Sequence, residues 1–327
     1  MKFVAARSLL AAAVGLALCA GAHAEEKFTY MTNWYAQAEH GGFYQAVATG
    51  IYKKYGLDVT IKMGGPQVNI MQLMAAGQAD CIMGSSDLQM MIARSGGLPV
   101  TTVAAIFQKD PQVLISHEDV GSFEEMKDKT ILIAPSAQRG YWLWLKQKYG
   151  LTDAQTRPYT FNIQPFVADK NTVQQGYLTS EPFAIQKGGV KAKAHLFADK
   201  GWTSYATTIS CMQDTVKNRD KAVAAFVKGT MEGWKSYLAD PAPGNALIKK
   251  DNPNMSDEQL AYSVAKLKEM GIVTGLDAPK LGIGMMNEQR IATNHKFLVD
   301  NKLIEADKVK VGEAYNFSFV KDLKVTP

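Results

Sequence analysis

The 327-residue chain has only three cysteines, and no two of them form a C-x-x-C pair. It also has no H-E-x-x-H pair, and the histidines after residue 23 are scattered, at His40, His117, His195 and His295. These absences remove the usual sequence patterns of zinc sites and of thioredoxin-like redox sites. We therefore expect neither a metal centre nor a cofactor.

Motifs for nucleophilic catalysis and for phosphate binding are also missing. The sequence contains no G-x-S-x-G elbow, no G-x-x-x-x-G-K loop and no G-x-G-x-x-G fingerprint. Residues 84–88 (GSSDL) come nearest to the elbow but lack its final glycine. Residues 40–43 (HGGF) resemble the oxyanion loop of esterases, which functions only together with such an elbow. The sequence therefore predicts a protein that is not an enzyme.

Positive charge is weak and dispersed, with a net charge of +5 and no block of lysine and arginine. Nucleic-acid-binding proteins usually carry such a basic patch, so no nucleic-acid partner is expected. After residue 22 no apolar run approaches the roughly 20 residues that a membrane-spanning helix needs.

The apolar run that does occur lies at the start of the chain. Lys2 and Arg7 precede an apolar stretch over residues 8–22. Residues 22–24 (AHA) fit the small-x-small rule of signal peptidase. We predict a cleavable signal peptide over residues 1–24 and export to the periplasm. Its removal takes away two positive charges, so +5 − 2 leaves +3.

The cysteines bear on anchoring and on redox state. Cys19 follows the bulky Leu18, where a lipoprotein peptidase requires a small residue, so free secretion is favoured over lipid anchoring. Cys81 and Cys211 lie in apolar, strand-like runs. The periplasm permits a disulfide. Two buried free thiols are nevertheless the favoured interpretation, and pairing stays open.

Short β-branched runs alternate with amphipathic helical patterns, which is typical of α/β architecture. Strands are predicted over residues 28–34, 58–64, 81–85, 100–107, 130–135, 159–163 and 173–178. Helices are predicted over residues 41–55, 68–76, 86–95, 138–149, 181–187, 219–239, 257–270 and 284–300. Apolar residues at helical spacing over residues 219–239 predict one apolar stripe on that helix.

The exported chain of about 300 residues is longer than one hydrophobic core normally fills, so two lobes are expected. No long linker separates them, and residues 100–116 and 204–213 are the candidate crossing strands. We predict that residues 25–108 and 209–327 form the first lobe and residues 109–208 the second. Paired crossings form a hinge that lets two lobes close on a ligand.

Residues 33–60 (NWYAQAEHGGFYQAVATGIYKKYGLDVT) resemble the N-terminal signature of periplasmic binding proteins for nitrate, sulfonate, taurine and thiamine-pyrimidine-precursor importers. The matching residues are Trp34, His40, Gly42, Tyr44, Ala46, Gly50, Tyr52, Gly56, Leu57, Asp58 and Val59. Residues 75–80 (AAGQAD) and 180–182 (SEP) match two further steps of that family. The resemblance implies a type II, Venus-flytrap fold. It also implies a monomer that binds a small molecule and docks on the transmembrane subunits of an ABC permease.

The ligand is less well defined by this resemblance. The thiamine-precursor branch reads D-W-x-P-N-x-x-H, whereas this chain has Asn33, Ala36 and Gln37 in place of the aspartate, proline and asparagine. Those substitutions fall where the ligand is expected. The family is therefore predicted, and the identity of the ligand is left open.

The predicted site residues follow strands or begin helices, where open α/β sheets bind ligands. They are Trp34, Tyr35, Gln37, His40, Ser85, Ser86, Ser136, Arg139, Tyr141 and Glu181. Trp34 offers a face for stacking a ring, and Glu181 accepts N–H groups, so a pyrimidine-like heterocycle is the leading ligand class. Arg139 suits a sulfonate or an aromatic carboxylate, which comes second. Each residue also has a structural alternative, such as sheet-edge packing for the aromatics or capping for Ser86 and Glu181.

Two other functions stay open. Eukaryotic pyrimidine-precursor synthases share the implied fold and use a histidine as a sacrificial donor, together with a cysteine-rich segment. This chain has no clustered cysteines and carries an export signal, which favours the receptor. A sensor accessory that binds a ligand without transporting it has the same sequence features.

Overall fold

The structure, a computed structural model, describes residues 24–327, so the predicted signal peptide lies outside it apart from its last residue. The strands are β1 (Glu26–Met31), β2 (Leu57–Lys62), β3 (Cys81–Ser86), β4 (Val100–Phe107), β5 (Gln112–His117), β6 (Thr130–Ile133), β7 (Thr156–Pro158), β8 (Thr172–Tyr177), β9 (Ala192–Leu196) and β10 (Ala206–Met212). The helices are α1 (Gly41–Ala48), α2 (Ile51–Lys54), α3 (Ile70–Ala75), α4 (Asp87–Ser95), α5 (Tyr141–Tyr149), α6 (Gln164–Ala168), α7 (Glu181–Lys187), α8 (Gln213–Asn218), α9 (Asp220–Ala239), α10 (Ala242–Asp251), α11 (Asp257–Glu269), α12 (Ala278–Leu281), α13 (Glu288–Asp300) and α14 (Val311–Ala314).

The strands form two five-stranded mixed sheets. The first sheet has the order β2-β1-β3-β10-β4, and the second has the order β7-β6-β8-β5-β9. In the first sheet β10 runs antiparallel to both β3 and β4, and in the second β5 runs antiparallel to β8 and β9. The chain therefore enters the second sheet between β4 and β5 and returns between β9 and β10. This is the predicted two-lobed α/β architecture.

The crossings are short. Residues 108–111 join β4 to β5, and residues 197–205 join β9 to β10. Strand β10 already pairs in the first sheet at Ala206. Strand pairing alone does not define a domain boundary, so the lobe limits at residues 108 and 208 stay a prediction.

Several predicted elements are shorter or shifted, for local reasons. The helix expected over residues 41–55 is two helices, because Gly50 takes φ +72° and interrupts the turn. The helix expected over residues 284–300 begins at Glu288, because the Asn287 side chain accepts hydrogen bonds from the first backbone N–H groups. The strand expected over residues 159–163 is absent, and β7 precedes it.

Helix α9 carries the apolar stripe that the sequence predicts, and it packs on the first sheet. Val223, Phe226 and Trp234 on that stripe are fully buried. Glycines bring α9 very close to α1, since a Cβ on Gly42 would lie 2.2 Å from the Trp234 ring. This contact holds the start of α1, and with it His40, against the first sheet.

The expectation of two free thiols is wrong, since Cys81 and Cys211 form a disulfide. The two residues lie directly opposite each other on the antiparallel strands β3 and β10. Cross-strand partners have side chains on the same face of the sheet, within reach of a disulfide. The bond links residues 130 positions apart and ties the return strand to the first lobe.

Candidate ligand-binding site

A cleft lies between the two sheets, where loops from both lobes face each other. It contains about 720 Å³ of space between atoms, including its open mouth. Its walls are formed by Asn33, Trp34, Gln37, His40, Met83, Ser85, Ser86, Gln89, Asp110, Gln112, Ser136, Ala137, Gly140, Tyr141, Gln175, Gly176, Tyr177, Glu181 and Trp202.

The cleft brings together all the predicted site residues except Tyr35 and Arg139. Arg139 ends a short 3-10 helix (Pro135–Arg139), and its side chain is exposed to solvent outside the cleft. Tyr35 does not line the cleft, and its ring packs against Trp34 and against Phe161 of the second lobe. The two residues were expected in the site because they neighbour a strand end. The backbone turns their side chains elsewhere.

Trp34 provides the aromatic surface of the first-lobe wall. It follows β1, and its carbonyl accepts a 2.9 Å hydrogen bond from the hydroxyl of Thr32, which holds the turn. Its indole is nearly parallel to the ring of Tyr159, with 6.1 Å between ring centroids and 18° between planes. Trp34 remains half-buried and lines the cleft, so part of its ring is available to a ligand.

Polar atoms of the same wall have no bonding partner among the described residues. Neither ring nitrogen of His40 is bonded, nor are Oε1 of Gln37 and Oδ1 of Asn33. Burial lowers the pKa of His40 from 6.5 to about 3, so the imidazole is neutral near pH 7. Buried polar groups nearly always have partners in folded proteins. These four atoms are therefore exceptions to that rule, and the residues that carry them all line the cleft.

The second-lobe wall is different, because its polar groups already bond one another. Glu181 accepts a hydrogen bond from the hydroxyl of Tyr159 (3.0 Å) and another from the backbone N–H of Tyr177 (2.8 Å). Burial raises the pKa of Glu181 despite these bonds. Tyr141 donates to Oε1 of Gln175 at 3.0 Å, so Tyr141 rather than the buried Trp142 faces the cleft. The wall is held in position before any ligand binds.

Asp110 joins the two crossings at the base of the cleft. One carboxyl oxygen accepts from the backbone N–H of Gln112 at 3.0 Å, and the other accepts from the hydroxyl of Ser204 at 2.7 Å. Asp110 lies on the outgoing crossing and Ser204 on the returning one. Burial raises the pKa of Asp110 to about 7.

Sequence reasoning missed Asp110, Gln112 and Gln175, which lie in or beside strands without any motif. It also missed Gln89, whose side-chain amide donates to the backbone carbonyl of Ser136 across the two lobes at 3.1 Å. The only signal in the sequence was a polar residue within an otherwise apolar run. That signal does not tell a cleft wall from an ordinary buried hydrogen bond.

The cleft contains acidic side chains but no strongly basic ones. Among its lining residues are two carboxyl groups, Asp110 and Glu181, and no lysine or arginine.

The described part of the chain has no group of three or more histidine, cysteine, aspartate or glutamate residues that could hold a metal ion. Within the same residues, no helix is long and apolar enough to cross a membrane.

Residues 37–243 match the family model described as NMT1/THI5 like, and this match spans more than half of the chain. The chain belongs to the NMT1/THI5-like family. The predicted resemblance is therefore confirmed, and the matched region contains most of both cleft walls.

Curated relatives include both receptors and enzymes. The riboflavin-binding protein RibY of Chloroflexus aurantiacus is 23% identical over 305 residues, which is 90% of this chain and 86% of the relative. The formylaminopyrimidine-binding protein of Halalkalibacterium halodurans is 33% identical over 40% of this chain and 42% of its own length. The 4-amino-5-hydroxymethyl-2-methylpyrimidine phosphate synthase THI11 of Saccharomyces cerevisiae is 26% identical over 66% of this chain and 68% of its own length.

Solved structures show the same fold. The alkanesulfonate-binding protein SsuA of Xanthomonas axonopodis pv. citri, bound to MOPS, superposes with a TM-score of 0.65 at 12% identity. The superposition covers 89% of this chain and 98% of SsuA. The fold is that of the two-lobed periplasmic binding proteins, as the sequence predicts.

Proposed function

We propose that this protein is the solute-binding component of an ABC importer and that it captures an uncharged, planar nitrogen heterocycle of the pyrimidine or flavin type. The observation that carries the proposal is the composition of the cleft. One wall offers an aromatic face and unpaired polar atoms, and no lysine or arginine lines the cleft.

The charge of the cleft argues against an anionic ligand. A buried sulfonate or carboxylate needs cationic or multiple N–H partners to replace its hydration. Here Asp110 and Glu181 add carboxyl groups, and Arg139, which was expected to clamp an anion, lies outside the cleft. The heterocycle therefore stays the leading ligand class, and the sulfonate becomes the weaker one.

The hydrogen-bonding groups fit the edge of such a ring. A neutral imidazole at His40 presents one donor and one acceptor, and the side chains of Asn33 and Gln37 present acceptors. Trp34 supplies the stacking surface. The riboflavin-binding and formylaminopyrimidine-binding relatives are receptors for ligands with these features.

The proposed mechanism is closure without chemistry. A ligand that contacts both walls favours the closed arrangement, because it gains contacts that the open arrangement lacks. The closed form would then dock as a monomer on the permease subunits in the periplasm, after removal of residues 1–24. A thermal-shift and calorimetry panel tests the ligand class.

In that panel riboflavin, formylaminopyrimidine and 4-amino-5-hydroxymethyl-2-methylpyrimidine are compared with taurine, ethanesulfonate and nitrate. We expect stabilisation by at least one heterocycle and by none of the anions. Stabilisation by anions alone would contradict the proposed ligand class. Glu181→Gln should weaken the binding of a heterocycle rich in N–H groups, because it removes a carboxylate acceptor from the cleft.

An enzyme of the synthase type is the second candidate, because the unpaired His40 lies in the cleft. Such a synthase consumes its histidine, so incubation with candidate substrates would change the mass of the protein. We expect an unchanged mass and reversible binding. A mass loss confined to the peptide that contains His40 would overturn the receptor proposal.

A further inference from the structure

An aromatic residue of the second lobe packs on the first lobe. Phe161 lies in the loop between β7 and α6, and its ring contacts both Trp34 and Tyr35. The ring centroids are 6.0 Å apart for Trp34 and 5.9 Å apart for Tyr35. Phe161 is half-buried and packs against the core of the first lobe. It does not line the cleft.

We propose that Phe161 is a closure residue, which holds the lobes together by packing on Trp34 and Tyr35 and so sets the lifetime of the closed form. The inference rests on the proposed function in that the two lobes open and close. It adds a determinant of affinity that lies outside the ligand-binding walls.

Not every apolar side chain of this loop packs on the first lobe. Ile163, two residues further along, packs within the second lobe, in the cluster that contains Phe166 and Ile185. The loop is therefore anchored to its own lobe, and Phe161 projects away from that anchor. Opening would expose its ring and would leave the packing of Ile163 unchanged.

The backbone of Phe161 supports the same conclusion. Its φ is +62°, in the left-handed region that residues with large side chains rarely adopt. Such a conformation persists only where surrounding contacts hold it. The aromatic contacts to the first lobe provide that hold in the closed form, and an open form releases it.

The same loop makes a second contact across the lobes. The side-chain amide of Gln67 donates to the backbone carbonyl of Tyr159 at 3.4 Å, and the Tyr159 ring faces Trp34. The loop that carries Phe161 therefore contacts the first lobe at two points.

The test measures closure without any ligand. Fluorophores attached through unnatural amino acids at the exposed residues Gln72 and Lys170 report the distance between the lobes by single-molecule energy transfer. We expect the ratio of closed to open molecules in Phe161→Ala to fall about tenfold, from the loss of two aromatic pairs. The same ratio should fall less in Phe161→Leu, because leucine keeps apolar bulk at this position. The matched control, Ile163→Ala, should close as the wild type does.

A double-mutant cycle identifies the partner. Tyr35 is outside the cleft, so Tyr35→Ala probes the packing of Phe161 on the first lobe without removing a ligand contact. The double variant Tyr35→Ala/Phe161→Ala lowers the ratio of closed to open molecules by some factor. We expect that factor to be smaller than the product of the factors for the two single variants. Equal closed fractions in wild type and Phe161→Ala would overturn the proposal. That outcome is independent of which ligand binds, because no ligand is present.

Discussion

The two walls of the cleft differ in how their polar groups are bonded. On the first-lobe wall His40, Gln37 and Asn33 have buried polar atoms without partners among the described residues. On the second-lobe wall Tyr141 and Glu181 are already bonded to neighbouring protein groups. Leaving a buried polar atom unbonded is unfavourable, so the first wall keeps a hydrogen-bonding capacity that the second wall has already used. Under the proposed function, a ligand would bond to the first wall and the preorganised second wall would close over it.

The largest effect should come from the aromatic face of the first wall. Trp34→Ala removes the stacking surface, and base–aromatic stacking contributes about 1–3 kcal/mol. We expect ligand affinity, measured by calorimetry with the heterocycle found in the panel, to fall by up to about 100-fold. The unfolding temperature of the ligand-free protein should change much less, since Trp34 is only half-buried. A loss of stability that matches the loss of affinity would mean that Trp34 is structural.

The second-largest effect should come from His40 of the first lobe, which we compare with a histidine of the second lobe. His40→Leu removes two unbonded buried nitrogens, so we expect about tenfold weaker ligand binding with unchanged or increased stability. His195→Leu is the matched control, because His195 is bonded to the hydroxyl of Ser116 at 2.8 Å and lies outside the cleft. That variant should lose stability and keep its affinity. The opposite pattern would contradict the assignment of the two walls.

A pH-dependent effect should arise where the lobes meet. Glu39 is fully buried and accepts a hydrogen bond from Thr179 of the second lobe. Burial raises the pKa of Glu39 from 4.5 to about 7, so the folded protein favours the protonated carboxyl. The stability that Glu39 contributes is therefore present below pH 4.5 and is lost as the pH rises through 7.

The measurement is the unfolding temperature of Glu39→Gln relative to wild type between pH 5 and pH 8. We expect the unfolding temperature of the variant to rise relative to that of wild type as the pH rises, because glutamine cannot ionise. Glu258→Gln is the control, since Glu258 pairs with Lys187 across the lobes but is exposed. Its difference from wild type should stay nearly flat. A flat difference for Glu39→Gln as well would show that its carboxyl titrates normally.

The smallest effect should come from the second wall. Tyr141→Phe removes one hydrogen bond to Gln175, whose Oε1 keeps its bond from the backbone N–H of Ala134 at 2.6 Å. We expect a loss of about 1 kcal/mol in the free energy of unfolding, measured with urea. Ligand affinity should change only a few-fold. A larger loss of affinity than in His40→Leu would reverse the roles of the two walls.

Local patterns were sufficient for much of the fold. Strand β4 occupies the predicted residues 100–107, and α9 has the predicted apolar stripe, because period-two and period-3.6 patterns report directly which face is buried. Trp34, His40 and Glu181 were also predicted in the site, because strand ends and helix starts lie at the edge where α/β sheets bind ligands.

Other features needed the assembled chain. The disulfide depends on the pairing of β10 with β3, which are 130 residues apart at the two cysteines, and no local pattern reports that register. Arg139 and Tyr35 were placed in the site from their position after strands, whereas side-chain direction depends on the backbone turn that follows. Asp110 and Ser204 meet only because both crossings pass the same point.

By itself, the sequence determined the alternation of strands and helices, the faces they bury and the resemblance to a family of receptors, because these properties depend on neighbours along the chain. Only the tertiary structure decided which polar atoms stay unbonded, that no lysine or arginine lines the cleft, and that Phe161 packs on the opposite lobe. Those properties depend on groups that are distant in sequence and meet only when the two sheets face each other.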